Sequence, residues 1–173
     1  MATSKKKQWS FEKINPKDLI EKNIALYQSI AGSKGVTLSH QSGVDVFGFA
    51  DNQAVDTVIR NLLSNSIKFS HPNSEVTLKT AVDGDQVVVS VQDTGIGIPA
   101  ELQEKLFTMN RSVQQTGTHN EKGTGIGLLL CKELMKENNG DISVKSVPGK
   151  GSEFFVSIPL FVESWSTFVK EAL

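Results

Sequence analysis

Cysteine is almost missing from this chain: Cys131 stands alone among 173 residues. One thiol excludes an internal disulfide framework and leaves no thiolate set for a cysteine-rich metal site. Such usage fits a reducing, cytoplasmic setting, and Cys131 itself follows Leu128-Leu129-Leu130, which reads as an inert core position. Net charge is nearly missing too. The formal value of −1 gives no overall drive toward nucleic acid or an anionic membrane. Lys5-Lys6-Lys7 is a short basic run in what reads as a solvated tail over 1–10. No apolar run approaches the ~20 residues of a membrane-spanning helix, the start lacks a signal-peptide core, and no internal repeat is visible. Direct membrane contact by this chain is therefore not expected. What is present, 38% hydrophobic and 21% charged residues, suits a single globular domain with a sizeable core.

Periodicity orders the elements. Pro16, Leu19, Ile20, Ile24, Tyr27 and Ile30 mark a helix from about Asn15 to Gly32, with proline in its first turn. Val36-Thr37-Leu38 and Val44 to Phe47 read as a hairpin about Gln41-Ser42-Gly43. Asp51 then caps a long helix that reaches about Phe69, where His71-Pro72-Asn73 stops it. A second hairpin joins Val76–Thr80 to Gln86–Gln92 through Asp83-Gly84-Asp85. A short helix runs from Ala100 to about Phe107, and a polar stretch from Thr108 to Lys122 follows it. Gly123 to Gly127 leads into another helix, which extends to about Glu137 and closes on Asn138-Asn139-Gly140, a left-handed cap. Ile142–Val147 and Glu153–Ile158 form a last hairpin. Hairpins interspersed with helices predict an α+β fold, a two-layer sandwich with a mixed, largely antiparallel sheet. Trp165, Phe168 and Val169 lie at helical spacing in an extension over 161–173.

Three groups of residues carry chemistry. Val87, Val89 and Val91 alternate with polar residues, so Asp93 stands where a strand becomes the loop Thr94-Gly95-Ile96-Gly97-Ile98-Pro99. Gly95 and Gly97 let backbone approach a neighbour closely. By itself this is either a strand-to-turn junction or an acid beside a bound ligand. On the long helix, Asn61, Asn65 and Lys68 fall within about 60° of one another at ~100° per residue. Such a stripe is either a solvated edge or a face offering amide oxygens to hydrated magnesium and a cation to phosphate. The cluster Gly123-Thr124-Gly125-Ile126-Gly127 ahead of Leu128 exposes backbone N–H groups at a helix start, a natural phosphate site. It lacks the Gly-Lys-Ser/Thr ending of a P-loop and the βαβ context of a dinucleotide fold. Lys122 precedes it as a mobile cation or a solvated loop lysine. The polar segment between the glycine clusters, with Arg111, Ser112, Gln114 and Thr118, reads as a lid.

The order of these segments resembles the N, G1, F and G2 boxes of the sensor histidine kinase catalytic domain. The boxes are Asn61 to Phe69, Asp93 to Pro99, Leu106-Phe107, and Glu121 to Leu128. That domain belongs to the superfamily of gyrase, heat-shock, histidine kinase and mismatch-repair ATPases, and the resemblance covers about Phe11 to Leu160. It implies a Bergerat-type ATP-binding fold over 11–160 with a mobile ATP lid. Asp93 would accept from the adenine amine, with Gly95 and Gly97 lining the base pocket. Asn65 would bind Mg2+, with Asn61 beside it and Lys68 near the phosphates. Lys122, Gly123, Thr124, Gly125, Gly127 and Leu128 would cradle the triphosphate. Pro148 to Phe154 resembles the family's closing hairpin. Ser66 occupies the position where the family commonly has alanine, a change expected to leave binding undisturbed, and the F box lacks its usual second phenylalanine.

The resemblance also implies partners. A histidine kinase needs a dimerisation hairpin carrying the phosphoacceptor histidine, and a response regulator receiver downstream. His40 ends a strand, His71 precedes Pro72 and His119 lies in the lid, so each reads as incidental and no catalytic residue is assigned within this chain. Asn61 stands where the hydrolysing members place a glutamate, which leaves water without a general base. The expectation is a monomeric domain that transfers phosphate from Mg-ATP to a histidine on a separate segment. Two other readings are a nucleotide-binding regulatory module without transferase activity and a related protein-serine kinase.

Overall fold

The computed structural model describes residues 8–41, 43, 45–108, 118 and 126–163. A strand β1 (Phe11–Ile14) leads into helix α1 (Pro16–Ser33), whose first turn is capped by the Asn15 side chain accepting from Lys17 N. Strands β2 (Val36–Gln41) and β3 (Gly48–Asp51) precede helix α2 (Asn52–Phe69). Asp51 caps α2 by accepting from Ala54 N at 2.9 Å, a contact worth about 1 kcal/mol in such positions. Strands β4 (Ser74–Asp83) and β5 (Gln86–Asp93) follow, with Gly84 left-handed between them at φ 59°. Helix α3 (Ala100–Gln103) is shorter than its expected span and continues as turns through 107. Helix α4 (Gly127–Glu137) and strands β6 (Asp141–Val147) and β7 (Gly151–Pro159) complete the fold. Asn139 supplies the left-handed residue beyond α4 at φ 53°.

The main sheet has the order β2-β4-β5-β7-β6 and is antiparallel except for the β2–β4 pair. Its inner face presents Val76, Leu78, Val87, Val89, Val91, Phe154, Val156 and Ile158. Against that face α1, α2 and α4 lay Leu19, Ile20, Val55, Val58, Ile59, Leu62, Leu63, Cys131 and Met135, all buried in one core. The expected α+β sandwich with a mixed, largely antiparallel sheet is thus the observed architecture. Burial pushes the Cys131 thiol up to about 12, in keeping with an inert core residue.

One expected pairing is wrong. Val36–Leu38 does not form a hairpin with Asp45-Val46-Phe47, the described part of the expected second strand. Strand β2 instead lies parallel to β4, with Leu38 opposite Val76, and 45–47 is not strand. Strand β3 begins at Gly48 and pairs antiparallel with β1 in a separate two-stranded sheet. Gly48 has room there only because it lacks a Cβ, which would collide with the Ile158 side chain. The physical reason for the difference is that β2 buries Val36 and Leu38 against α1 and β4, which a local hairpin at the sheet edge would not do.

Candidate functional site

Asp93 ends β5, the central strand of the main sheet, with Val76 and Ser152 as its cross-strand neighbours. It is only 5% exposed. Its Oδ1 accepts from Gly95 N at 2.9 Å and from Ser152 N at 3.3 Å. Its Oδ2 accepts no hydrogen bond among the described residues. Burial pushes the carboxyl above the usual carboxylate range, opposed by the Gly95 and Ser152 N–H groups and then by the Ser66 side chain. No charged side chain contributes. The outcome is a buried acid with one oxygen fixed by backbone and one acceptor open.

The loop after Asp93 is clamped from both sides. Ile96 N donates to Phe69 O at the end of α2 (3.2 Å), and Gly149 N, in the β6–β7 turn, donates to Ile96 O (2.7 Å). Ile98 N donates to Ser146 Oγ at 2.8 Å, while Gln103 Nε2 bridges Ile98 O and Ser146 O at 2.8 and 3.0 Å. The two glycines have a purpose the sequence did not reveal. A Cβ on Gly95 would strike Phe69 O, and one on Gly97, already left-handed at φ 69°, would strike Val147 O. Their first service is to let this loop nest between two protein backbones, which sets the position of Asp93.

Helix α2 brings the polar stripe alongside. Asn61, Asn65 and Lys68 are all half-buried, beside the buried Leu62, Leu63, Ser66 and Ile67. Asn61 Nδ2 reaches only a long contact to Thr57 O, 3.5 Å, and Asn61 Oδ1 lies where a Cβ of Gly127 would go. The start of α4, and hence the end of the second glycine cluster, therefore rests against Asn61. Asn65 makes no hydrogen bond among the described residues, which leaves its amide oxygen available. Lys68 Nζ lies 5.0 Å from the Phe69 ring centroid. Lys68 O accepts from Lys34 Nζ at 2.6 Å and from Thr118 N at 3.2 Å, so Thr118, one of the two described residues in the expected lid segment, is tied to the end of α2. Thr118 Oγ1 adds a bond to Ser70 O at 2.7 Å.

The structure thus brings Asp93, Gly95, Gly97, Asn61, Asn65, Lys68, Gly127 and Leu128 into connected elements. Lys122, Gly123, Thr124 and Gly125 lie outside the described residues, as do Arg111 and His119. Residues missed in the sequence are Ser152, whose N–H holds Asp93, and Ser146 and Gln103, which hold the loop. The Pro148-Gly149-Lys150-Gly151-Ser152 turn was the available signal for the first two. His40 lies on β2, 3.9 Å from Glu21, and burial holds its pKa below the ordinary value. It sits on the edge strand β2, separated from β5 by β4. Among the described residues no cluster of three His, Cys, Asp or Glu side chains could hold a metal, and no helix is long and apolar enough to cross a membrane.

Residues 50–162 match the family described as histidine kinase-, DNA gyrase B- and HSP90-like ATPase. The chain belongs to this family. Within it, the chain is similar to sensor histidine kinase RcsC of Escherichia coli K12, 38% identical over 143 residues that cover 83% of this chain and 14% of RcsC. The chain thus spans about a seventh of the length of that relative. Among solved structures, the catalytic domain of histidine kinase ThkA superposes with a TM-score of 0.75 at 26% identity, covering 87% of this chain and 95% of that one. Full-length ShkA in complex with AMPPNP gives 0.75 at 25% identity, covering 89% and 32%. Fold, box order and relatives together make this an ATP-binding catalytic domain of the histidine kinase type.

Proposed function

We propose that this domain binds Mg-ATP between α2, the Asp93 loop and the start of α4, and transfers the γ-phosphoryl group to a histidine on a dimerisation hairpin supplied by another segment. The observation that carries this reading is the open Oδ2 of a buried Asp93, whose other oxygen is fixed by two backbone donors. A rigid acceptor in a desolvated pocket matches the exocyclic amine of adenine and rejects a carbonyl at that position. The binding of AMPPNP by ShkA supports nucleotide occupancy of this fold.

For the metal, the donor set fits Mg2+. The uncommitted amide oxygen of Asn65, with Asn61 one turn earlier, suits a cation that keeps most of its waters and takes the rest of its ligands from phosphate. When bound, that ion supplies charge neutralisation across the phosphates. Lys68 and the glycine-rich segment 123–127 then bind the phosphates from the protein side, and Asp93 orients the base. Transfer forms a P–N bond to the acceptor histidine while the bond between Pγ and the β,γ-bridging oxygen breaks, and ADP leaves with that electron pair. Asn61 offers no carboxylate to activate water, so hydrolysis by the isolated domain is slow. A response regulator receiver would accept the phosphoryl group next, and the domain itself is monomeric.

The test mixes this domain with labelled ATP and the phosphoacceptor hairpin of the same full-length protein. Acid-labile, base-stable label on the hairpin is expected. Tight ATP binding without transfer would point to a regulatory module, and label on serine to a protein-serine kinase. Rapid phosphate release by the domain alone, unchanged in Asn61→Ala, would sink the assignment of transfer over hydrolysis.

A further inference from the structure

Ser146 on the edge strand β6 pairs across the sheet with Ser152 on β7, and Ser152 pairs with Asp93 on β5, so the three residues form one row. The Ser146 hydroxyl makes three polar contacts. It accepts from Ile98 N at 2.8 Å, donates to Gly151 O at 2.8 Å and lies 2.9 Å from Ser152 Oγ. A hydroxyl has one proton to give and two lone pairs to receive. With its proton on Gly151 O and one lone pair facing Ile98 N–H, the third contact is Ser152 Oγ donating to Ser146 Oγ. The bonding capacity of this hydroxyl is thus fully used. Each of its partners bears on the place of Asp93. Ile98 belongs to the loop that follows it, and Ser152 supplies one of the two N–H groups on Oδ1. Gly151, at φ 108°, passes so close that a Cβ there would strike Asp93 O.

We propose that Ser146 is a positioning residue for base recognition: it holds the loop and the β6–β7 turn together at the spacing that aims the Asp93 carboxylate at the exocyclic amine of adenine. The proposal rests on the reading of Asp93 as the base acceptor and deepens it. Ser146 is half-buried at the sheet edge and acts on the nucleotide only through Asp93. Removing its hydroxyl leaves Ile98 N–H and Ser152 Oγ–H without an acceptor and Gly151 O without a donor, so the loop and the turn relax independently. A hydrogen bond to the amine is directional and weakens steeply once its acceptor swings away. The phosphate contacts, assigned to α2 and the start of α4, do not depend on this hydroxyl. The fold does not depend on it either, because Gln103 Nε2 still ties Ile98 O to Ser146 O through backbone oxygens that any residue at 146 retains.

The experiment is a two-way cycle on the whole chain. Dissociation constants for Mg-ATP and for the magnesium complex of purine riboside triphosphate, which lacks only the exocyclic amine, are measured by calorimetry, directly or by displacement. The proteins are the parent, Ser146→Ala and Ser146→Thr, each checked by thermal unfolding to be folded at the measuring temperature. The parent is expected to bind ATP about tenfold or more tightly than the amine-free nucleotide, as one hydrogen bond to a charged group supports. In Ser146→Ala, ATP is expected to weaken about fivefold and the amine-free nucleotide by less than about twofold, so that most of the discrimination disappears. Ser146→Thr keeps the hydroxyl and is expected to discriminate as the parent does. An equal loss for both nucleotides in Ser146→Ala would overturn the proposal, since a residue that merely supports the scaffold weakens both alike. Unchanged ATP affinity in Ser146→Ala, or a threonine variant that behaves like alanine, would overturn it as well. A parent that binds the two nucleotides equally marks a different failure, that of Asp93 as the base acceptor.

Discussion

Asp56 and Asp93 are equally buried, each 5% exposed, yet their surroundings make them opposites. Asp56 lies between α1 and α2 with every oxygen engaged. Its Oδ1 accepts from Asn23 Nδ2 at 2.8 Å, and its Oδ2 accepts from Lys22 Nζ at 3.2 Å and Arg60 Nη2 at 2.5 Å. Burial alone would raise its pKa, but the bonds from Asn23, Lys22 and Arg60 outweigh burial and hold the carboxyl below its ordinary value. Asp93 has two backbone donors on one oxygen, a smaller contribution from the Ser66 side chain and no cation; burial wins and the carboxyl is held high. A carboxylate satisfied by its own fold is a fastener between helices. One left half-satisfied in a dry pocket is kept for something that arrives later.

That contrast is most directly broken at Asp93. Asp93→Asn retains an oxygen for the Gly95 and Ser152 N–H groups but places an amide donor toward the base, so ATP affinity by calorimetry should fall roughly 100-fold, the scale of losing a charged bond and gaining a clash of donors. The fold should be retained. Asp56→Asn should do the reverse: ATP affinity stays within twofold of the parent, while chemical denaturation shows a loss of about 1–2 kcal/mol, kept modest because Lys22 and Arg60 are largely exposed. Weakened ATP binding in Asp56→Asn would mean that the two acids are not separable as fastener and reader.

The same contrast explains what could be read from the chain. Asp51 as cap, the end of α2 at Phe69, the β4–β5 hairpin about Gly84 and the place of Asp93 at a strand end are local signals, and each appears where it was expected. Partner choice is not local. Alternation at Val36 and Leu38 declares which face is buried but not which strand lies beside it, and β2 went to β4 across a whole helix. Likewise Gly95 and Gly97 announce a close approach without naming the neighbour, which is backbone from Phe69 and Val147. Asp56 gave no sign of its role, because Lys22 and Asn23 reach it from another helix.

The smallest effect is in the pH dependence of stability, and it discriminates between the two acids by its window. The Asp56 carboxyl is held below its unfolded value near 3.9, so its stabilisation is present above that value and lost as pH falls through the lower, folded one. The Asp93 carboxyl is held above its unfolded value, so the stability it contributes is complete below about pH 3.9 and lost as pH rises through the higher, folded one. Above its raised, folded value an ionised Asp93 therefore strains the fold, and there Asp93→Asn should be the more stable protein in urea. Its advantage should shrink as pH falls through the raised Asp93 value, while the deficit of Asp56→Asn persists in that range and closes only at lower pH. If both differences close together, the two carboxylates share one environment electrostatically, and the open oxygen of Asp93 loses its claim to be reserved for a ligand.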